Sequence, residues 1–196
     1  MCIICISPPG VRQPDAFQIK TMFAHNPHGA GYMTARNGHV EIHKGFMYLD
    51  DYLRAIRSER FTAKDSVVYH FRISTQAGVN PEMTHPFPLS NQPDRLRELD
   101  PRCQFGVAHN GVIRLTSDPN NNRYSDTALF ITGYLSRIIR NRDTLRDQHI
   151  LSAIYQITQS KFAIMDGTGY VATVGAFVNE RGLLFSNHSF LAGPVR

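Results

Sequence analysis

Tryptophan is absent from the 196 residues, and cysteine occurs only at Cys2, Cys5 and Cys103. An odd number of cysteines without paired spacing argues against a disulfide framework and for a reducing compartment, so any thiol chemistry is the work of single residues. Long apolar runs are lacking too, and the opening MCIICISPPG has neither a basic n-region nor a long h-region. These absences predict a soluble cytoplasmic protein with no membrane contact. Charged residues make up only 19% of the chain, while 42% are apolar and the aromatics are 12 Phe and 8 Tyr. That balance excludes disordered and collagen-like chains. The length suits one domain over residues 1–196, able to bury a core without disulfide or metal, with no room for a second catalytic domain of ordinary size.

What charge there is leans positive: 21 Lys and Arg face 16 Asp and Glu, a net +5. Arg137, Arg140, Arg142 and Arg146 are the most basic stretch. They flank two amphipathic helical patterns, which reads as a solvated face rather than a nucleic-acid surface.

The run Met1 to Ile6, closed by Pro8-Pro9-Gly10, predicts a buried strand. A helix opens at Pro14-Asp15 with Phe17, Ile19, Met22 and Phe23 on its apolar side and ends near Asn26-Pro27. Gly29 to Ala35 and His39 to Lys44 predict a hairpin turning at Asn37-Gly38, and a short helix follows around Asp51 to Arg57. Ser66 to Arg72 and Cys103 to Ala108 read as strands, separated by a proline-punctuated loop from Gln76 to Arg102. Ser125 caps a helix carrying Ala128, Leu129, Ile131, Leu135, Ile138 and Ile139, and a second helix spans about Asp143 to Ile157. Strands return at Lys161 to Asp166, Tyr170 to Val178 and Gly182 to Phe185. This order predicts an α+β fold of antiparallel sheets with segregated helices.

Chemistry concentrates at a few positions. Initiator Met is normally removed before a small residue, and its loss leaves Cys2 with both a thiol nucleophile and an α-amine base on one residue. In model peptides that amine titrates near about 7.7–8.0 and the thiol near about 8.5, so neither needs a large shift to work at neutral pH. As ordinary core residues, Cys2 and Cys5 would simply be small hydrophobes. Asn110 and Gly111 end a predicted strand, where a side-chain NH2 and a backbone N–H can converge on one oxyanion; a plain Asn-Gly turn is the simpler alternative. Arg72 ends another strand, its planar guanidinium suited to clamping a carboxylate with Thr75 adding a hydroxyl. Asp126 stands at a helix start, where it can receive an ammonium or merely serve the cap. One anion clamp, one cation acceptor, one oxyanion site and one nucleophile suit an amino acid with a side-chain amide.

The series Met-Cys at 1–2, NPHGAGY at 26–32, HFRIST at 70–75, THPF at 84–87, AHNG at 108–111 and SDT at 125–127 resembles, in order and spacing, the class II glutamine amidotransferases of the N-terminal nucleophile (Ntn) hydrolases. The resemblance covers Cys2 to about Phe130, with a weaker likeness in the closing strands. It implies a four-layer αββα sandwich and a glutaminase: Cys2 the nucleophile that forms a γ-glutamyl thioester and releases ammonia, Asn110 and Gly111 the oxyanion hole. It further implies that Arg72, helped near Thr75, binds the glutamine α-carboxylate, that Asp126 binds the α-ammonium, and that His85 lies near the substrate. No cofactor or metal is implied. The chain departs from the family pattern at Ile3, where Gly usually follows Cys; at His28, where Asp is usual; and at Gln76, an added residue before Gly78. An apolar residue after Cys in a short, free-standing chain is similar to the amidotransferase-like proteins of bacteriophages, which implies a host-cytoplasmic enzyme passing ammonia to a separate synthase partner. The alternative is a catalytically inactive Ntn-fold protein that binds an amino acid, a host protein or nucleic acid. His25 with His28, and His39, Glu41 and His43 along one strand, form weaker constellations that could ligate a metal.

Overall fold

The computed structural model describes residues 1–74, 78–116 and 123–191. Two antiparallel sheets organise it. The seven-stranded sheet has the order β10-β11-β1-β4-β2-β3-β6, with β1 Ile3–Ser7, β2 Ala30–Arg36, β3 His39–Phe46, β4 Val67–Phe71, β6 Arg102–Cys103, β10 Val178–Glu180 and β11 Leu183–Phe185. The four-stranded sheet runs β5-β7-β8-β9, with β5 Phe87–Pro88, β7 Phe105–Asn110, β8 Lys161–Asp166 and β9 Val171–Val174. This is the mixed α+β class that the strand and helix order predicts.

Strand periodicity explains the layering. In β1, Ile3 and Cys5 pack with Ile19, Met22 and Phe23 of helix α1 (Ala16–His25) and Tyr52 and Leu53 of helix α2 (Leu49–Glu59). Ile4 and Ile6 face the other way, against Ala108, Ala163 and Met165 of the smaller sheet. All five β1 side chains are buried, as a strand covered on both faces requires. A third cluster joins Val107, Phe162 and Ile164 to Phe130, Ile131, Leu135 and Ile154 on the remaining helices. Helices therefore pack on the outer face of each sheet, an arrangement compatible with a sandwich.

Local chemistry sets the elements. Asp15 caps α1 in a reciprocal box with Gln18. Asn37 and Gly38, at φ 51° and 78°, turn β2 into β3 with Arg36 opposite His39. Ser125 accepts from Ala128 N to start helix α3 (Asp126–Phe130), which continues through a π turn, Ile131–Leu135, into the short α4, Ser136–Ile138.

Three expected elements are divided. The strand expected over 103–108 parts at Gln104, with β6 ending at Cys103 in the larger sheet and β7 starting at Phe105 in the smaller. The helix expected over 143–157 is two, α5 (Arg142–Arg146) and α6 (Gln148–Thr158), because the Asp147 side chain accepts from His149 N and Ile150 N and caps a new helix there. The strand expected over 170–178 is also two. Gly175, at φ 77°, breaks it, and β9 and β10 then join different sheets. Among the described residues, no helix is long and apolar enough to cross a membrane.

Candidate functional site

The catalytic candidates sit at chain positions where regular structure stops. Cys2 precedes β1, and the antiparallel register that pairs Ile3 with Phe71 sets it beside the residues that follow β4. Its Sγ lies 3.5 Å from the Ile73 carbonyl oxygen, to which it donates, and 3.4 Å from Ile73 N, from which it accepts. Asn187 Nδ2 donates to the Cys2 carbonyl at 2.8 Å, so the backbone of the nucleophile candidate is held from the end of the chain as well. Burial pushes the Cys2 thiol up from its ordinary value, opposed by the Ile73 hydrogen bond, the Arg72 charge and the terminal ammonium.

Arg72 follows β4 and is only 3% exposed. Its Nη1 donates to the Gly78 carbonyl at 2.9 Å, and Ser74 Oγ donates to that oxygen at 2.6 Å. Burial pulls its pKa down while Cys2 and Asp126 oppose the shift, and a guanidinium stays charged regardless. His28 supports this loop: its Nδ1 accepts from Ser74 N at 3.0 Å, and its own N–H donates to the Arg72 carbonyl at 2.9 Å. Thr75 and Gln76 lie outside the described residues.

Asn110 ends β7, and Gly111 follows it at φ 153°. A Cβ at 111 would collide with Ser160 Oγ and lie 2.8 Å from Ser160 Cβ, so this position requires glycine. Asn110 Nδ2 donates to Ser186 Oγ at 2.8 Å, and its Oδ1 is buried without a partner among the described residues. Asp126, 7% exposed at the first turn of α3, accepts from Ile113 N at 2.7 Å and Thr127 N at 2.8 Å. Those bonds aim its carboxylate while leaving lone pairs free.

Three buried histidines stand behind. His70 Nε2 donates to the His109 carbonyl at 2.9 Å, tying β4 to β7 across the two sheets. His109 Nδ1 meets Thr127 Oγ1 at 2.7 Å. His85, set by the loop before β5, lies tilted 4.3 Å from His70 and edge-on 4.6 Å from Phe87 between ring centres, and neither of its ring nitrogens has a partner among the described residues. Burial lowers His70 and His109 to about 3, and holds His85 well below the ordinary imidazole value with the help of the other two. All three are neutral at physiological pH.

Cys2, Arg72, His85, Gly111 and Asp126 line one cleft of about 80 Å³, together with Met1, His109 and Thr127 among others. Asn110 stands beside it, next to Gly111, with its amide nitrogen on Ser186. His109, Ser186 and Asn187 belong to this neighbourhood but escaped the sequence reading. His109 lay inside the AHNG motif, whereas a Ser-Asn pair after a short strand carries no pattern.

Neither a protein-family model nor a curated protein matches the chain.

The metal constellations disperse. His25 Nδ1 bonds the Ser189 carbonyl, His39 Nδ1 the Asn37 carbonyl, and His43 Nδ1 the Asp100 carboxylate, while Glu41 pairs with Arg102 at 3.3 Å. Among the described residues, no group of three or more His, Cys, Asp or Glu is placed to hold a metal ion. Arg142 and Arg146, expected on a solvated face, both converge on buried Asp166 at 3.5 and 3.3 Å.

Proposed function

We propose that this chain hydrolyses the side-chain amide of glutamine, or of a closely similar amide, through Cys2 after removal of Met1, on a four-layer αββα scaffold of the Ntn hydrolase kind. The observation that carries the reading is the convergence of a thiol, a guanidinium, a backbone-aimed carboxylate and an obligatory glycine on one cleft. Residues drawn from β1, the end of β4, the end of β7 and the start of α3 have no packing reason to share it.

Loss of Met1 gives Cys2 its own α-amine. That amine takes the thiol proton as Sγ attacks the amide carbon, which offsets the upward pull of burial on the thiol. The Gly111 N–H and the Asn110 side-chain amide receive the negative charge that grows on the carbonyl oxygen. Collapse breaks the C–N bond, and the protonated amine returns its proton to the departing ammonia. Water then cleaves the thioester, releasing glutamate and restoring the thiol. Arg72 holds the substrate carboxylate and Asp126 its ammonium, fixing the amide over Cys2. His85 and His109 add a neutral polar wall. The ammonia is either released or taken by a separate acceptor protein.

The test compares glutamine hydrolysis, and thioester trapping by a glutamine-like electrophile, between protein of verified intact mass and its Cys2→Ala variant. Activity present in the first and reduced to background in the second is expected. Equal rates would overturn the reading and leave a binding protein, and active material that retains Met1 would remove the Cys2 α-amine as the base.

A further inference from the structure

The unpartnered oxygen of Asn110 points to a residue that no motif singles out. Asn110 closes β7 in one sheet, and Ser186 follows β11 in the other; both are buried. Ser186 N donates to the Ile4 carbonyl at 3.0 Å, and Ile4 N donates to Ser186 Oγ at 2.9 Å. The serine is therefore clamped to β1 two residues after Cys2.

The donor count around Ser186 Oγ is informative. With Asn110 Nδ2 facing it at 2.8 Å, the hydroxyl oxygen accepts two bonds and no acceptor among the described residues takes its own proton. Asn110 Oδ1 is at the same time buried with no donor among the described residues. One acceptor and one donor are wasted within a single contact, which buried polar groups rarely tolerate. Turning the amide by 180° exchanges its oxygen and nitrogen within the same outline. Ser186 Oγ then accepts from Ile4 N and donates to Asn110 Oδ1, and both wasted groups are satisfied. The Asn110 NH2 is released to the side away from Ser186, where its neighbours His109 and Gly111 line the cleft.

We infer that Ser186 is a positioning residue: its hydroxyl, fixed by Ile4 N–H, holds the Asn110 amide oxygen and thereby presents the amide NH2 to the cleft as a donor. One serine thus ties the strand that carries the nucleophile to the strand that carries the oxyanion donor. The kinetic consequence rests on the proposed amide hydrolysis; the orientation does not.

Two experiments separate these. Neutron diffraction from deuterated protein reads the orientation directly. The Ser186 deuteron is expected on the line to Asn110 Oδ1, and an amide nitrogen carrying its deuterons toward Ser186 overturns the inference. In glutamine hydrolysis, Ser186→Ala lowers kcat by roughly 10- to 100-fold with KM held within about 2-fold, a part of the roughly 10²- to 10³-fold loss that follows removal of an oxyanion donor. Ser186→Thr, which keeps the hydroxyl, recovers kcat to within about 3-fold. In an Asn110→Ala background, Ser186→Ala costs less than about 2-fold more, since a residue acting through Asn110 has nothing left to position. Equal losses in both backgrounds overturn the inference. So does a matching fall in the rate at which iodoacetamide alkylates Cys2, a displacement that builds no oxyanion. Should the unsubstituted protein fail to hydrolyse glutamine at all, the amidase reading falls and diffraction still decides the orientation.

Discussion

Arg72 is held by the fold and is the side chain proposed to hold the substrate carboxylate. Its backbone bonds Gly29 and His28, and its guanidinium reaches Gly78. A lysine in its place keeps the charge and loses the planar fork, and a charge-assisted hydrogen bond is worth about 1.5–3 kcal/mol. Arg72→Lys is therefore expected to raise KM for glutamine by about 10- to 100-fold and to change kcat much less, as steady-state kinetics will show. A comparable fall in kcat with KM unmoved would place Arg72 away from the substrate carboxylate. Gly111 answers to the backbone alone. At φ 153° and against Ser160, any Cβ strains the turn that carries the backbone donor. Gly111→Ala should destabilise the chain by about 1–3 kcal/mol and cut kcat by at least about 100-fold, measured by urea unfolding and by glutamine turnover. Full activity in that variant would remove the Gly111 N–H from the oxyanion site.

At the scale of elements, signals local in sequence were legible and those settled by distant packing were not. The Asn37-Gly38 turn fixed the β2–β3 hairpin, because both residues accept positive φ within two positions of the chain. The site candidates were singled out on local signals too: Cys2 stands at the start of the first predicted strand, Arg72 and Asn110 at or just past the ends of two others, and Asp126 follows a recognisable cap. Asp147 was harder to read. Inside an apolar-periodic run it looks like a solvent-facing helical residue, yet its carboxylate competes for backbone N–H groups and restarts the helix as α6. Asp147→Ala removes that cap and is expected to destabilise the protein by about 0.5–2 kcal/mol in chemical denaturation, whereas Asp147→Asn, which keeps an acceptor, should stay within a few tenths. A neutral alanine would mean that α5 and α6 are separated by packing and not by the cap. The parting of β9 from β10 left no comparable mark, since which sheet each joins is decided by partners far away in sequence. Ser186 was invisible for the same reason, meaningful only through partners far away in sequence, and the tie of His28 to Ser74 was equally hidden.

At the scale of the whole molecule, the neutral histidines couple the site to the pH limits of the fold. His70, His85 and His109 lie between the two sheets and the cleft, and burial leaves them unprotonated. Unfolded, each binds a proton below its ordinary value of 6.5; folded, His70 and His109 resist until about 3 and His85 resists as well. Their folded-state values are depressed, so the unfolded chain holds more protons through the whole window between. The linkage sign is then fixed: this contribution is complete above pH 6.5 and is lost as pH falls toward 3. Near pH 5 each imidazole contributes a slope of about 1.4 kcal/mol per pH unit, or about 4 for the three together. Urea denaturation between pH 7 and 4.5 should therefore show stability falling, with the proton uptake on unfolding by these three rising from under one at pH 7 to close to three by pH 5. His109→Gln keeps a polar group beside Thr127 and should remove about one of those protons at pH 5, whatever it does to absolute stability. An uptake below one proton at pH 5 in the unsubstituted protein would mean that the imidazoles are already charged in the fold. The neutral wall assigned to the cleft would then be cationic, and it would repel the ammonium that Asp126 is proposed to hold.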